Sequence, residues 1–159
     1  MKKFTKIFFI FILCVFANGS DLNLDKIKSQ AQKNHKNVMM FFHIDGCRFC
    51  HTMLDENFKD KKILDYIKKN FILIDINISQ KMQIKQNNLI FSQKKFAKKY
   101  EIFSYPSTIF LDENLNIIYL DIGYKNPNEF LILLKFIKSK RYKKINFEDF
   151  FSEAEFIDE

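Results

Sequence analysis

The pattern of apolar positions divides the chain into helical and extended segments. Apolar residues at helical spacing predict helices over residues 20–36, from Cys47 onward, and over 60–70, 89–100 and 128–140. Two apolar runs, NVMMFFHI at 37–44 and FILIDINI at 71–78, are too short for ordinary helices and predict buried strands. Residues 109–111 and 117–120 flank a polar turn and predict a hairpin. The polar stretch 79–88 has no clear period and is interpreted as a loop.

The order of these segments predicts the fold class. Two strands joined through helical crossover segments lie parallel in one sheet, whereas hairpin strands are antiparallel. We therefore expect an α/β protein whose mixed central sheet carries helices on both faces. At 159 residues the chain has room for one domain, which we place at 20–145. Residues 146–159 form an acidic tail that includes a possible short helix capped by Asn146.

The N-terminus has the pattern of an export signal. Lysines at positions 2, 3 and 6 precede an unbroken apolar run over 7–17, which is shorter than the roughly 20 residues of a bilayer-spanning helix. Ala17 and Gly19 occupy the small-residue positions before a cleavage point at Ser20. We expect residues 1–19 to be a secretory signal peptide and the protein to be periplasmic. An uncleaved N-terminal anchor is the alternative.

The positive charge does not indicate a nucleic-acid partner. The formal net charge is +7, yet the lysines recur at the solvent positions of predicted helices. Lysines at 94, 95, 98 and 99, for example, flank apolar Phe96 and Ala97. This is the pattern of ordinary amphipathic helices rather than of a basic face interleaved with aromatic residues.

Two cysteines, Cys47 and Cys50, remain after removal of the signal, and they form a CxxC motif. A thiol attacks a disulfide only as its thiolate. Cys47 stands at a predicted helix start, next to Arg48 and one turn from His51. Such surroundings lower a cysteine pKa from about 8.5 to between roughly 3.5 and 7.5. Cys50 is on the inward stripe of that helix, so we expect Cys47 to attack a partner and Cys50 to resolve the mixed disulfide.

Three other interpretations of the pair remain open. A plain structural disulfide is a weak choice, because so short a loop restrains little of the unfolded chain. The string Cys47-Arg48-Phe49-Cys50-His51 also matches the CxxCH pattern of covalent c-type haem attachment, with His51 as axial ligand. The third interpretation is a metal site formed by the cysteines and His51, with His43. Ligands so close in sequence, with no second cysteine cluster, make a poor structural zinc site. We interpret His43 as an ordinary strand residue.

The strings FFHIDGCRFCHTM, FILIDINI and SYPSTIFLD, with Gly123-Tyr124 before a final helix, resemble the thioredoxin-like superfamily, specifically its exported SoxW-type members. The resemblance implies a three-layer sandwich. It also implies that Pro106 is cis and lies beside the cysteine pair, where the backbone of Tyr105 pairs with a bound substrate chain.

This sequence departs from the family pattern within the motif. Arg48-Phe49 replaces the glycine-proline of ordinary thioredoxins, and Gly46 replaces the preceding tryptophan. The buried carboxylate that such proteins carry six residues before the first cysteine corresponds here to Phe41. Proton transfer to or from Cys50 therefore needs another route, and the candidates are Asp45 or a water molecule.

Together these observations predict a protein-thiol:disulfide oxidoreductase that uses no metal and no cofactor beyond its cysteine pair. The predicted partners are protein thiols and disulfides, together with a membrane electron-donor protein. We expect a monomer that works as a reductant. The predicted site comprises Cys47 and Cys50 as catalytic residues, with Arg48, Phe49, His51, Tyr105 and Pro106 binding substrate or tuning the thiol.

Overall fold

The computed structural model describes residues 21–157, so the predicted signal peptide lies outside the described residues. The helices are α1 (Leu24–Asn34), α2 (Arg48–Glu56), α3 (Lys61–Asn70), α4 (Gln93–Lys99), α5 (Pro127–Lys138) and α6 (Phe147–Ile157). The strands are β1 (Leu22–Asn23), β2 (Asn37–His43), β3 (Phe71–Asn77), β4 (Gln83–Gln86), β5 (Leu89–Ser92), β6 (Ser107–Leu111) and β7 (Ile117–Ile122). Within the described range, no helix is long and apolar enough to cross a bilayer.

The main sheet has the order β3-β2-β6-β7. Strands β2 and β3 are parallel, β2 and β6 are antiparallel, and β6 pairs with β7 as an antiparallel hairpin. Strand β2 lies at the centre and is buried on both faces, which explains its continuous apolar sequence. The mixed sheet predicted from the order of segments is confirmed.

Two hydrophobic clusters, one on each face of the main sheet, make the three layers. Val38, Met40 and Phe42 of β2 pack with residues of α1 and α4 on one face. Met39 and Phe41 pack with residues of α2, α3, α5 and α6 on the other, which we call the α2 face. Alternate side chains of β2 therefore feed the two clusters, as the two-residue period of a strand requires. The predicted α/β class with helices on both faces is confirmed.

A second, small sheet with the order β1-β4-β5 corrects two predictions. Residues 79–88 are not a continuous loop, because 83–86 form β4. The predicted helix over 89–100 begins only at Gln93, since 89–92 form β5 and pair with β4. Asn87 and Asn88, with φ of 51° and 62°, make the tight turn between these strands. Asparagine tolerates this left-handed conformation, so the Asn-Asn pair was a hairpin signal that the periodicity obscured.

The acidic tail contributes to the same core. Asn146 Oδ1 accepts a hydrogen bond from the Asp149 backbone N–H at 2.8 Å and caps α6. Phe147 is buried against Phe136 of α5, and Phe150 also contacts the Phe136 ring. The predicted short helix is present, and it covers one end of the α2 face.

Candidate active site at the Cys47–Cys50 pair

The cysteine pair lies where β2 leaves the main sheet and α2 begins. Cys47 is the residue before the helix, in extended conformation, and its Sγ accepts a hydrogen bond from the Cys50 backbone N–H at 3.1 Å. Cys47 therefore lies at the start of a helix, as predicted, and the helix N-terminus faces Cys47 Sγ. Gly46 precedes it with φ of 75°, a conformation that side-chain-bearing residues rarely adopt.

The two sulfurs are joined in a disulfide, with the Cα atoms 5.3 Å apart. They differ sharply in exposure. Cys50 is 1% exposed, whereas Cys47 is only partly buried. An incoming thiol can therefore reach Cys47 and not Cys50. This is the asymmetry expected of an attacking and a resolving cysteine.

The turn before β6 lies directly beside Cys47. The Tyr105–Pro106 peptide bond is cis, and the Tyr105 carbonyl oxygen lies 3.8 Å from Cys47 Sγ. In the disulfide this is a contact rather than a hydrogen bond, because Sγ carries no proton. Pro106 is buried, and its carbonyl accepts a hydrogen bond from Gly123 N–H at 2.9 Å. The structure thus brings Tyr105 and Pro106, 58 residues away in sequence, to the cysteine pair.

The other predicted site residues occupy the exposed side of α2. Arg48 and His51 are exposed, and Phe49 is 59% exposed despite its size. The Phe49 ring contacts the Tyr124 ring, with centroids 5.9 Å apart. Tyr124 in turn donates a hydrogen bond to Glu56 Oε2 at 2.8 Å, and this bond raises the pKa of the Tyr124 hydroxyl. Phe49 and Tyr124 form an apolar shelf next to Cys47. The sequence had marked Tyr124 only as part of the Gly-Tyr resemblance.

A ring of hydrogen bonds anchors the loop before Cys47 to the end of β3. Asp45 N–H donates to Ser79 Oγ at 3.1 Å, and Asp45 Oδ1 accepts from Asn77 Nδ2 at 2.8 Å. Asn77 Oδ1 accepts from Ser79 N–H at 2.9 Å. Asp45 is exposed and engaged in this ring, so its role is to position the loop. This geometry does not support the hypothesis that Asp45 transfers a proton to or from buried Cys50.

The sequence model of the thioredoxin-like domain matches residues 24–138, which is most of the chain. The chain belongs to the thioredoxin-like domain family. It is 28% identical over 90 residues to the thiol:disulfide interchange protein DsbD of Campylobacter jejuni. That match covers 57% of this chain but only 14% of the relative, so the chain spans about one seventh of that protein.

Solved structures agree with this family. A thioredoxin-fold protein from Helicobacter pylori superposes with a TM-score of 0.61 at 25% identity, covering 76% of this chain and 80% of that one. A thioredoxin from Thermus thermophilus gives 0.57 at 17% identity, with coverage of 74% and 85%. The C-terminal domain of Neisseria meningitidis DsbD gives 0.51 at 17% identity, with coverage of 70% and 91%. The last two show the fold alone. The predicted superfamily is confirmed, and the SoxW-type subdivision stays a prediction.

The protein also has a nearly buried histidine whose contacts the sequence did not reveal. His43 ends β2, is 8% exposed and stacks on Phe41 with ring centroids 5.4 Å apart. Its Nε2 lies 2.7 Å from Asp75 Oδ1 on β3. The two groups are in close electrostatic contact without a hydrogen bond. His43 follows Met39 and Phe41 at two-residue spacing in β2, so its side chain points to the same inward face. This spacing was visible in the sequence, but by itself it predicts only an ordinary strand residue.

A second buried polar pair lies farther along the same face. Asp121 of β7 and Lys125 form an ion pair at 3.0 Å, with side chains 8% and 17% exposed. Burial raises the pKa of the Asp121 carboxyl, and Lys125 opposes that shift. The Lys125 ammonium also lies over the Phe147 ring of α6, 5.1 Å from its centroid.

Among the described residues, no three His, Cys, Asp or Glu side chains converge in a way that would hold a metal ion. His43 faces Asp75 and His51 is exposed on α2, so the four residues of the metal interpretation do not form a common site.

Proposed function

We propose that this protein is a periplasmic protein-thiol:disulfide oxidoreductase that reduces disulfides in other proteins. Reduced Cys47 attacks the partner's disulfide as a thiolate, the partner's leaving thiolate takes up a proton, and a Cys47–partner mixed disulfide forms. Cys50 then attacks Cys47 Sγ, releases the second partner thiol and closes the Cys47–Cys50 disulfide. One observation carries the proposal: the accessible sulfur faces a helix N-terminus and contacts the backbone of the residue before cis Pro106.

The partner's chain, in this proposal, lies along Tyr105 and over the shelf of Phe49 and Tyr124. The partly buried Tyr105 carbonyl next to the reacting sulfur offers a hydrogen-bond acceptor to an extended backbone. The exposed Phe49 ring and the half-buried Tyr124 ring give an aromatic surface, which is typical of protein contacts. We propose that the protein is a monomer, that it needs no cofactor, and that a membrane protein returns its electrons. The similarity to a thiol:disulfide interchange protein supports an exchange partner of this kind.

Cysteine variants test the mechanism. We expect Cys47→Ser to abolish reduction of a protein disulfide, because no accessible thiolate remains. We expect Cys50→Ser to accumulate a mixed disulfide with the substrate, visible by mass spectrometry and released by dithiothreitol. Wild-type rates from both variants in a disulfide-reduction assay would refute the proposal.

Two further measurements test its remaining parts. An equilibrium redox titration against glutathione is expected to give a value nearer the about −270 mV of thioredoxin than the about −120 mV of DsbA. A value at the oxidising end would reverse the proposed direction. Because the CxxCH string also permits haem attachment, a pyridine haemochrome assay on exported protein decides between the two functions. A covalent haem signal would refute the exchange function and support electron transfer by a bound haem.

A further inference from the structure

Cys50 presents a proton-transfer problem that the exchange reaction has to solve. The resolving sulfur reacts as a thiolate, yet Cys50 is 1% exposed. A buried thiol in apolar surroundings keeps its proton more strongly than a free one, and water reaches it poorly. Resolution therefore needs a group inside the protein that accepts the proton.

Strand β2 ends at His43 and α2 begins at Arg48, so the end of the strand and the first turn of the helix, which contains Cys50, lie at the same edge of the sheet. Cys47 N–H bonds to the Ile44 carbonyl at 3.4 Å, and this turn folds α2 back over the strand it follows. Met53 of α2 packs in one cluster with Met39 and Phe41. Cys50 lies one helical turn before Met53 on the same side of α2, a step of about 4.5 Å toward the helix start. The matching step along β2 leads from Phe41 to His43, about 6.8 Å away.

His43 is the one side chain of β2 that can accept a proton, since the other residues of NVMMFFH carry amide, apolar or thioether groups. It shares the α2 face with Met39 and Phe41, because residues two apart in a strand point the same way. Its imidazole is nearly buried and stacked on Phe41, so it is held in place. Histidine side chains gain and lose protons between about pH 5 and 8.

Asp75 determines which imidazole nitrogen is basic. The carboxylate oxygen lies 2.7 Å from Nε2. Two lone pairs at that distance would repel each other, so the proton of the neutral ring resides on Nε2 and Nδ1 is left to accept another. Asp75 then also stabilises the imidazolium that forms. Asp75 is thus a positioning residue that acts through His43.

We propose that His43, held by Asp75, accepts the proton of the Cys50 thiol when the mixed disulfide is resolved. The inference rests on the proposed exchange function. The Cys50 proton passes to His43, the Cys50 sulfur bonds to Cys47 Sγ, and the bond between Cys47 and the partner sulfur breaks. The partner leaves as a thiolate, takes the proton from His43 or from solvent, and no other oxidant or reductant takes part.

Other ionisable groups on the elements of this face do not contact His43 in the described part of the chain, where Asp75 is its charged neighbour. Strand β6 has none. The remaining groups are Tyr119 and Asp121 on β7; Arg48, His51, Asp55 and Glu56 on α2; Lys61, Lys62, Asp65, Tyr66, Lys68 and Lys69 on α3; Glu129, Lys135 and Lys138 on α5; and Glu148, Asp149, Glu153 and Glu155 on α6.

One stopped-flow experiment separates the two chemical steps. Reduced protein is mixed with 5,5′-dithiobis(2-nitrobenzoate). The first thionitrobenzoate released reports attack by Cys47, and the second reports resolution by Cys50. We expect His43→Asn to leave the first phase at its wild-type rate and to slow the second about 100-fold near neutral pH. The wild-type second phase should remain fast at pH values where that of the variant is slow, because the variant reacts only as the thiol itself ionises at higher pH.

Two further variants keep the test specific. His35→Asn makes the same chemical change at an exposed histidine at the end of α1, in a left-handed conformation that asparagine tolerates, and both phases should stay at wild-type rates. If His43→Asn does not fold, His43→Gln retains more volume and still lacks a basic nitrogen. We expect Asp75→Asn to slow only the second phase, by a smaller factor.

The outcomes separate the two proposals. If the wild-type protein releases thionitrobenzoate in two phases but the His43 variant matches it in second-phase rate and pH profile, this inference is wrong and exchange stands. If the wild-type protein releases only one thionitrobenzoate per molecule, resolution does not occur and the exchange function itself fails. Equal slowing of both phases would indicate a general structural role for His43 and would also overturn the inference.

Discussion

Two carboxylates lie at opposite edges of the main sheet, in the same row of cross-strand neighbours. The row runs Asp75, Phe41, Thr108, Asp121 from β3 to β7. Asp75 is 60% exposed and contacts His43 of β2. Asp121 is 8% exposed and pairs with Lys125, whose ammonium lies over the Phe147 ring of α6.

The difference between the two edges indicates two kinds of polar contact. At the β7 edge, Lys125 and Asp121 are both largely removed from water, so their ion pair is part of the packing and costs desolvation on both sides. At the β3 edge, the carboxylate of Asp75 stays in contact with water, and its partner His43 of β2 is a side chain that can accept a proton. We therefore expect the Asp121–Lys125 pair to contribute to stability and the Asp75–His43 pair to take part in the proton transfer proposed for the cysteines. The variants below test this division.

The largest expected effect on stability comes from Lys125→Met. Removing one partner leaves Asp121 buried and unpaired, so we expect a loss of about 3 kcal/mol in the free energy of unfolding at pH 7. Burial raises the pKa of the Asp121 carboxyl above its unfolded value of 3.8, so the protonated carboxyl is the form that favours the folded state. This contribution to the free energy of unfolding is fully present below the unfolded pKa and disappears as pH rises through the folded pKa. The loss in the variant should therefore be smaller at pH 4 than at pH 7.

Urea unfolding at both pH values measures this effect. Lys138→Met, at an exposed lysine of α5, is the matched control and should change stability by less than about 0.5 kcal/mol. An identical loss at pH 4 and pH 7 for Lys125→Met would contradict the assignment of Asp121 as the titrating partner.

A smaller effect is expected from Asn146→Ala, which removes the cap of α6 without touching the ion pair. Loss of the hydrogen bond to Asp149 N–H should lower the free energy of unfolding by about 1 kcal/mol. Because α6 covers Lys125, amide hydrogen exchange in 147–155 should accelerate more than exchange in β2. Uniform acceleration across both segments would argue that α6 opens only with the whole domain.

The smallest stability effect belongs to Asp75→Asn. Its carboxylate is largely solvated, so we expect the free energy of unfolding at pH 7 to change by no more than about 0.5 kcal/mol. The same variant should nevertheless slow the second phase of the exchange assay. A stability loss as large as that of Lys125→Met would remove the distinction between the two edges.

Local pattern was sufficient for much of the fold and of the site. The apolar runs located β2 and β3, the motif placed Cys47 at a helix start, and the order of segments predicted the mixed sheet. It failed for β4 and β5, because QIKQ and LIFS are too short to carry a period and become strands by pairing with each other. It also failed to find the contact between His43 and Asp75, because parity shows that a side chain points inward but not which group it meets.

The sequence by itself determined the cysteine pair, its asymmetry and the layers around it, since each depends on residues close together in the chain. Tertiary structure alone decided the contacts that join distant segments: Tyr105 with Cys47, Asp75 with His43, and Tyr124 with Phe49. The physical reason is that strand register and helix packing set these distances. Both depend on the balance of burial over the whole domain, which no local spacing of residues records.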